Sequence, residues 1–240
     1  MRDDAGYLAW TQAPRGAMLF DPRRVRDPGP ALFDPGAYGA GAQPVGAGGR
    51  QAAWFVQGGA WQGVLRHFRR GGLAARVSRD AYVWRGEAAT RSFAEYRLLQ
   101  ALHRQGLPVP APLAAAYWRR PAGPLYRAAI LVERLPGVQP LADRLPRGEW
   151  TAVAGAVVAL HRAGAWHADL NAYNILLDPA GKAWLVDFDR GRAGGVSGAQ
   201  RRGNLERLRR SLRKVGGDEG LRYADRLEAE YRALWDAGPA

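Results

Sequence analysis

The stretch that most constrains this chain runs from His167 to Asp189: H-A-D-L-N-A-Y-N-I-L-L, a D-P-A-G turn, then K-A-W-L-V-D-F-D. Asn171 to Asn174 reads as a turn, Ile175 to Leu177 as a short strand and Asp178 to Gly181 as a second turn. Ala183 to Phe188 is the returning strand. A hairpin folded at Pro179 returns Asp187 to the end where Asn174 stands, with Asp169 on the loop just before it. Single Asp and Asn residues at strand ends are usually turn formers. An H-x-D-x-x-x-x-N loop followed at hairpin distance by a strand-terminal D-F is a compound pattern. It supplies what phosphoryl transfer from a magnesium nucleotide needs. Asp169 would orient the attacking hydroxyl, while the Asn174 carboxamide and the Asp187 carboxylate would hold Mg²⁺.

The order of elements around this loop points to an α+β, two-lobed, protein-kinase-like fold. Residues 1–45 are rich in Gly, Pro and Ala and read as an irregular extension with one or two short strands. Residues 46–136 read as an amino-terminal lobe built on an antiparallel sheet with one helix. Its strands are expected after the G-A-G-G turn at Gly46–Gly49, over Ala60–Phe68, Val109–Tyr117 and Ala128–Val132. Its helix is Thr90–Gln105, with Phe93, Tyr96, Leu98, Leu99 and Leu102 as the apolar face, Ser92 as a cap and Gly106-Leu107-Pro108 as the stop. Residues 137–240 form a short helical lobe, with helices at Leu141–Leu145 and Trp150–Arg162, a basic helix from about Gly203 and a last one over Leu221–Trp235. About fifty residues follow Asp189 and there is no A-P-E segment, which favours a small or lipid-linked acceptor over a protein.

A nucleotide site also needs a cation on the phosphates, commonly a strand lysine held by a helix glutamate. Only Lys182 and Lys214 are lysines, so arginine must serve. In V-L-R-H-F, Arg66 should point to one face of its strand, with Leu65 and His67 on the other. Glu95 on the helix is the natural partner, since Arg and Glu can pair in a fork. Arg69 is the fallback. Gly46, Gly48 and Gly49 would let backbone N–H groups approach phosphate. His167 reads as a brace for the loop rather than a base, because Asp169 fills that position. Asp189 could join the metal site or bind an arginine.

Composition narrows the class further. The chain has no cysteine, which removes disulfides, thiolate zinc sites and cysteine nucleophiles. Its four scattered histidines have no metal-ligand spacing. The longest apolar run, Ala152–Leu160, is far short of the roughly 20 residues that span a bilayer, and the amino terminus lacks signal-peptide character. A cytoplasmic protein is expected. A net charge of +13 predicts anionic company. Gln200–Lys214 sets Leu205, Leu208 and Leu212 on one stripe opposite a cationic face, as suits a helix lying on an anionic membrane surface.

Taken together, V-L-R-H-F-R-R-G-G-L, T-R-S-F-A-E-Y-R-L-L, G-L-P-V-P-A-P, L-V-E-R-L-P-G, W-H-A-D-L-N-A-Y-N-I-L-L and N-L-E-R-L-R-R-S-L-R-K resemble the lipopolysaccharide core kinase family, on the side of its 3-deoxy-D-manno-octulosonic acid (Kdo) kinases. The match runs from about residue 50 to 215. The resemblance implies ATP-dependent phosphorylation of the Kdo 4-hydroxyl on a lipid A precursor, at the cytoplasmic face of a Gram-negative inner membrane. It implies that Asp169 is catalytic, Asn174 and Asp187 bind Mg²⁺, and Arg66 with Glu95 serves ATP. The first 45 residues match nothing in the pattern. A heptose kinase of the same core pathway, a small-molecule phosphotransferase and an inactive basic nucleic-acid-binding module are the alternatives. The last is disfavoured by the intact Asp169, Asn174 and Asp187, so no nucleic-acid partner is expected.

Overall fold

Period-two alternation along the strands builds the first of two units. The computed structural model describes residues 5–12, 14–45, 53–69, 80–145 and 149–238. Gly46, Gly48 and Gly49 lie outside them. The chain divides into Met1–Arg97 with Ala111–Arg134, and Leu98–Pro110 with Leu135–Ala240. The first unit holds β1 (Gly6–Trp10), β2 (Gly16–Phe20), β3 (Gln43–Pro44), β4 (Ala53–Gln57), β5 (Gln62–His67), β6 (Tyr82–Val83), β7 (Pro112–Arg119) and β8 (Leu125–Glu133). They form one antiparallel sheet in the order β1-β2-β7-β8-β5-β4-β3, with β6 pairing β8. Helix α1 (Arg91–Arg104) begins in this unit.

Met18, Leu65, Ala114, Ala116, Ala129 and Leu131 send their side chains to one face. That face is covered by Val25, Phe33, Leu32 and Tyr38 of the first 45 residues. This segment is therefore integral to the unit: β1 and β2 extend one edge of the sheet, β3 forms the other, and two 3-10 turns, Pro30–Phe33 and Pro35–Gly41, roof its core. Its Gly and Pro content hid this, because the apolar residues have no helical or strand period. The opposite face meets α1, where the Phe93 and Tyr117 rings pack edge-on at 5.3 Å. Ser92 does not cap the helix as expected; it is buried and its hydroxyl donates to the Ala116 carbonyl of β7 at 2.9 Å.

In the second unit the end of α1 stops where Gly106 takes φ +76°. The Leu107 N–H donates to the Leu102 carbonyl and the Gly106 N–H to that of His103, a Schellman closure only a left-handed residue allows without strain. There follow β9 (Gln139–Pro140), α2 (Trp150–Arg162), β10 (Ala165–Trp166), β11 (Ile175–Leu177), β12 (Ala183–Leu185), β13 (Arg192–Ala193) and α3 (Gly198–Asp236). The helix expected at Leu141–Leu145 is a single 3-10 turn over Leu141–Asp143. Helix α3 starts earlier than expected, at a capping box between Ser197 and Gln200, and breaks at Gly217 (φ +56°). Arg209 meets Asp225 at 2.6 Å and Arg201 covers Trp235 at 3.8 Å. Residues 209 and 225 would lie about 24 Å apart in a straight helix. The two arms of α3 therefore fold back on each other, and they pack with α2. Leu208 and Leu212 are buried, but their companion on the buried face is Asn204 rather than Leu205, which is only half-buried.

Candidate active site

In the first unit, Arg66 and Glu95 meet. The Arg66 Nη2 lies 2.6 Å from Glu95 Oε1 and 2.7 Å from Oε2, so one nitrogen bridges both carboxylate oxygens in place of a two-nitrogen fork. Glu95 is 3% exposed. His67 turns the other way and bonds the Phe33 carbonyl at 2.8 Å, as strand alternation requires. Arg69 stands exposed beyond the end of β5. A buried carboxylate needs such a cation, and losing one partner strands the other's charge.

In the second unit, the loop before β11 and the end of β12 are tied together. The register Ile175↔Leu185 makes the Val186 N–H donate to the Asn174 carbonyl at 3.0 Å, which sets Asn174 beside the residue preceding Asp187. Asp178 fixes the turn, its Oδ1 accepting from Ala180 and Lys182 N–H at 2.9 Å each. Leu170, Ala172 and Ile175 are buried and anchor the loop, while Asp169, just before them, faces solvent.

Asp169, Asn171 and Asn174 have oriented partners. The Asn174 Nδ2 donates to the Asp169 carbonyl at 2.8 Å, which leaves the Oδ1 as its ligating atom. The Asn171 Nδ2 donates to Asp169 Oδ2 at 3.1 Å, and the Asn171 Oδ1 accepts from Tyr173 and Asn174 N–H in an Asx turn. Asp187 is exposed and held at φ +63°, a strained conformation for a residue with a side chain. It persists because both neighbours are fixed: Val186 by its two backbone bonds, and Phe188 by complete burial. No group of three His, Cys, Asp or Glu side chains among the described residues could hold a metal unaided. One carboxamide oxygen and one carboxylate suit Mg²⁺, which keeps water and substrate phosphates as its other ligands.

His167 does brace the loop. It is fully buried, and burial pushes its imidazole below the ordinary histidine range. The Asp169 N–H donates to its Nδ1 at 3.1 Å, so the proton sits on Nε2 and is donated to the Val186 carbonyl at 3.0 Å. A single neutral ring thus ties the backbone of Asp169 to that of the residue before Asp187.

Behind it stands a buried network that the sequence did not reveal. Asn204, 1% exposed, donates from Nδ2 to the His167 carbonyl at 2.7 Å and accepts at Oδ1 from His161 Nε2 at 3.1 Å. The Tyr231 hydroxyl completes it on His161 Nδ1 at 2.9 Å. One turn along α3, Arg207 Nη1 approaches Asp169 Oδ1 at 3.4 Å; on the next, Ser211 Oγ accepts from the Ala172 N–H at 3.1 Å. Residues 204, 207, 208, 211 and 212 form one helical face. That spacing is present in N-L-E-R-L-R-R-S-L, where the leucine stripe and the cations mask it.

With this geometry in view, comparison with known proteins is decisive. The family described as "Lipopolysaccharide kinase (Kdo/WaaP) family" matches residues 40–231. The chain belongs to that family. The protein named 3-deoxy-D-manno-octulosonic acid kinase in Stenotrophomonas maltophilia strain K279a is 49% identical over 232 residues, covering 93% of this chain and 92% of that one. Its namesake in Xanthomonas euvesicatoria pv. vesicatoria is 48% identical over 231 residues, with the same coverage. As a member of the Kdo/WaaP family the protein is a kinase, and the antiparallel sheet followed by a helical unit fits a kinase-like fold.

Proposed function

We propose that this kinase transfers the γ-phosphoryl group of Mg·ATP to the 4-hydroxyl of Kdo on a lipid A precursor, acting as a peripheral protein at the cytoplasmic face of the inner membrane. The observation that carries this reading is near-half identity to proteins named Kdo kinases over 93% of the chain. In the proposed step, Asp169 accepts the proton of the acceptor hydroxyl as that oxygen bonds to the γ-phosphorus. The bond to the β–γ bridging oxygen breaks, and ADP leaves with its electron pair. Arg66, oriented by Glu95, serves the nucleotide phosphates. Asn174 Oδ1 and Asp187 would hold Mg²⁺, which when bound neutralises charge on the phosphates.

No helix among the described residues is long and apolar enough to cross a membrane. Arg202, Arg210, Arg213 and Lys214 are exposed along the first arm of α3, whereas Arg209 is consumed by Asp225 and Glu228. The exposed four are proposed to rest on anionic headgroups. The test of the function is transfer from γ-labelled ATP to a purified Kdo-bearing lipid A precursor, a heptose-bearing core and an aminoglycoside, with the phosphate located by NMR. Phosphate on the Kdo 4-position supports the reading. Preference for the heptose-bearing core or the aminoglycoside overturns it.

A further inference from the structure

The guanidinium beside Asp169 makes only a weak contact with it. Arg207 Nη1 reaches Asp169 Oδ1 at 3.4 Å, with the side chains 46% and 62% exposed. An exposed pair at that distance contributes little to stability. Nor is it needed to orient the carboxylate, because Asn171 already holds the other oxygen, Oδ2, at 3.1 Å. Its position is nonetheless fixed. Three residues before it Asn204 is bonded to the His167 carbonyl, and four after it Ser211 is bonded to the Ala172 N–H, so the helix that carries Arg207 is clamped to the loop that carries Asp169.

For proton transfer to Asp169 this contact is a handicap. A cation on Oδ1 competes with an incoming hydroxyl for the same lone pairs. An acceptor bearing its own anion near the reacting hydroxyl removes the handicap, because it gives the guanidinium a better partner. A planar carboxylate accepts an arginine fork bidentately, where the observed contact uses one nitrogen at long range.

We propose that Arg207 is the specificity residue for an acidic sugar. It binds the carboxylate of the acceptor and, in moving onto it, releases Asp169 Oδ1 to take the hydroxyl proton. This rests on the Kdo reading above, since a sugar acid is the substrate class it names. Neutral sugars would leave Arg207 on Asp169 and be poor acceptors.

The test compares the Kdo-bearing precursor with the same precursor carrying its Kdo carboxylate as the primary amide, using wild type, Arg207→Ala, Arg207→Gln and Arg207→Lys. Wild type should lose roughly 10- to 100-fold in kcat/KM on amidation, the range of a charge-assisted hydrogen bond, with KM raised because the amide offers Arg207 no anion and kcat lowered because Arg207 then stays on Asp169. Arg207→Ala and Arg207→Gln should lose as much on the carboxylate and be indifferent to amidation. Arg207→Lys should recover part of the preference. KM for ATP should not move, and thermal melts should match wild type because the side chain is exposed. A variant that still discriminates against the amide overturns the proposal, as does an equal loss of kcat on both acceptors or a raised KM for ATP. If wild type transfers to neither Kdo acceptor, the Kdo reading itself falls and the inference with it.

Discussion

Replacing Asn204 with alanine should damage both stability and turnover, although the side chain touches no reactant. The substitution removes the Nδ2 bond to the His167 carbonyl at 2.7 Å and the Oδ1 acceptor for His161 Nε2 at 3.1 Å. The residues at these two bonds are buried, His161 at 3% exposure and His167 at 0%, and the Oδ1 also accepts weakly from the His167 N–H at 3.4 Å. At about 1–3 kcal/mol for each stranded polar group, the loss is about 2–6 kcal/mol. For a chain of this size each kcal/mol lowers Tm by about 2–4 °C, so a fall on the order of 10 °C is expected. The His167 backbone is two residues from Asp169, and a loosened loop misplaces the carboxylate, so kcat should fall roughly 10- to 100-fold. Asn204→Asp is the informative companion. It keeps an acceptor for His161 but sets a carboxylate oxygen against the His167 carbonyl, and should be at least as harmful. Thermal melts and transfer assays on purified variants read both effects. A Tm within about 2 °C of wild type together with unchanged transfer would show that the network does not hold the loop.

Arg66→Ala and Glu95→Gln should each lower kcat/KM for ATP roughly tenfold or more. A double-mutant cycle should give a coupling of about 1–3 kcal/mol; simple additivity would mean the contact does not act in nucleotide binding. Asp187→Ala should raise the Mg²⁺ concentration for half-maximal activity roughly tenfold or more, and an unchanged Mg²⁺ titration would put the ion elsewhere. Burial lowers the pKa of His67, His161 and His167, so the folded state binds fewer protons than the unfolded chain. Their stabilising contribution is complete above about pH 6.5 and is lost as pH falls from there through the folded values, by up to about 1.4 kcal/mol per pH unit for each group. Urea midpoints measured between about pH 7.5 and 5.5 should fall on acidification, less steeply in His167→Gln; a flat profile contradicts the neutral assignments.

What could be read from the sequence was whatever a local period or fixed spacing encodes. The hairpin that returns Asp187 to Asn174 followed from two turn signals, and strand alternation put Arg66 on the face of Glu95 and His67 on the other. The Gly106 stop was equally local. Long-range satisfaction was not readable. Asn204 looks like a surface residue beside Leu205, and only the fold of α3 against the loop turns it inward. Ser92 looks like a cap in the sequence for the same reason, since its acceptor lies on β7. The first 45 residues cover a core whose other members come from β4, β5, β7 and β8, and no local pattern records that.

The central claim is that Asp169 acts on the acceptor hydroxyl of Kdo while the nucleotide is held by other groups. The most direct measurement is a single-turnover transfer assay of Asp169→Asn on the Kdo-bearing precursor, with ATP affinity determined on the same preparation. Asp169→Asn is nearly isosteric and keeps an oxygen for Asn171. Transfer should fall by 10²–10⁴-fold, on the order expected for loss of a positioned base, with ATP affinity unchanged. Transfer near the wild-type rate, or an equal loss of ATP binding, would contradict the account.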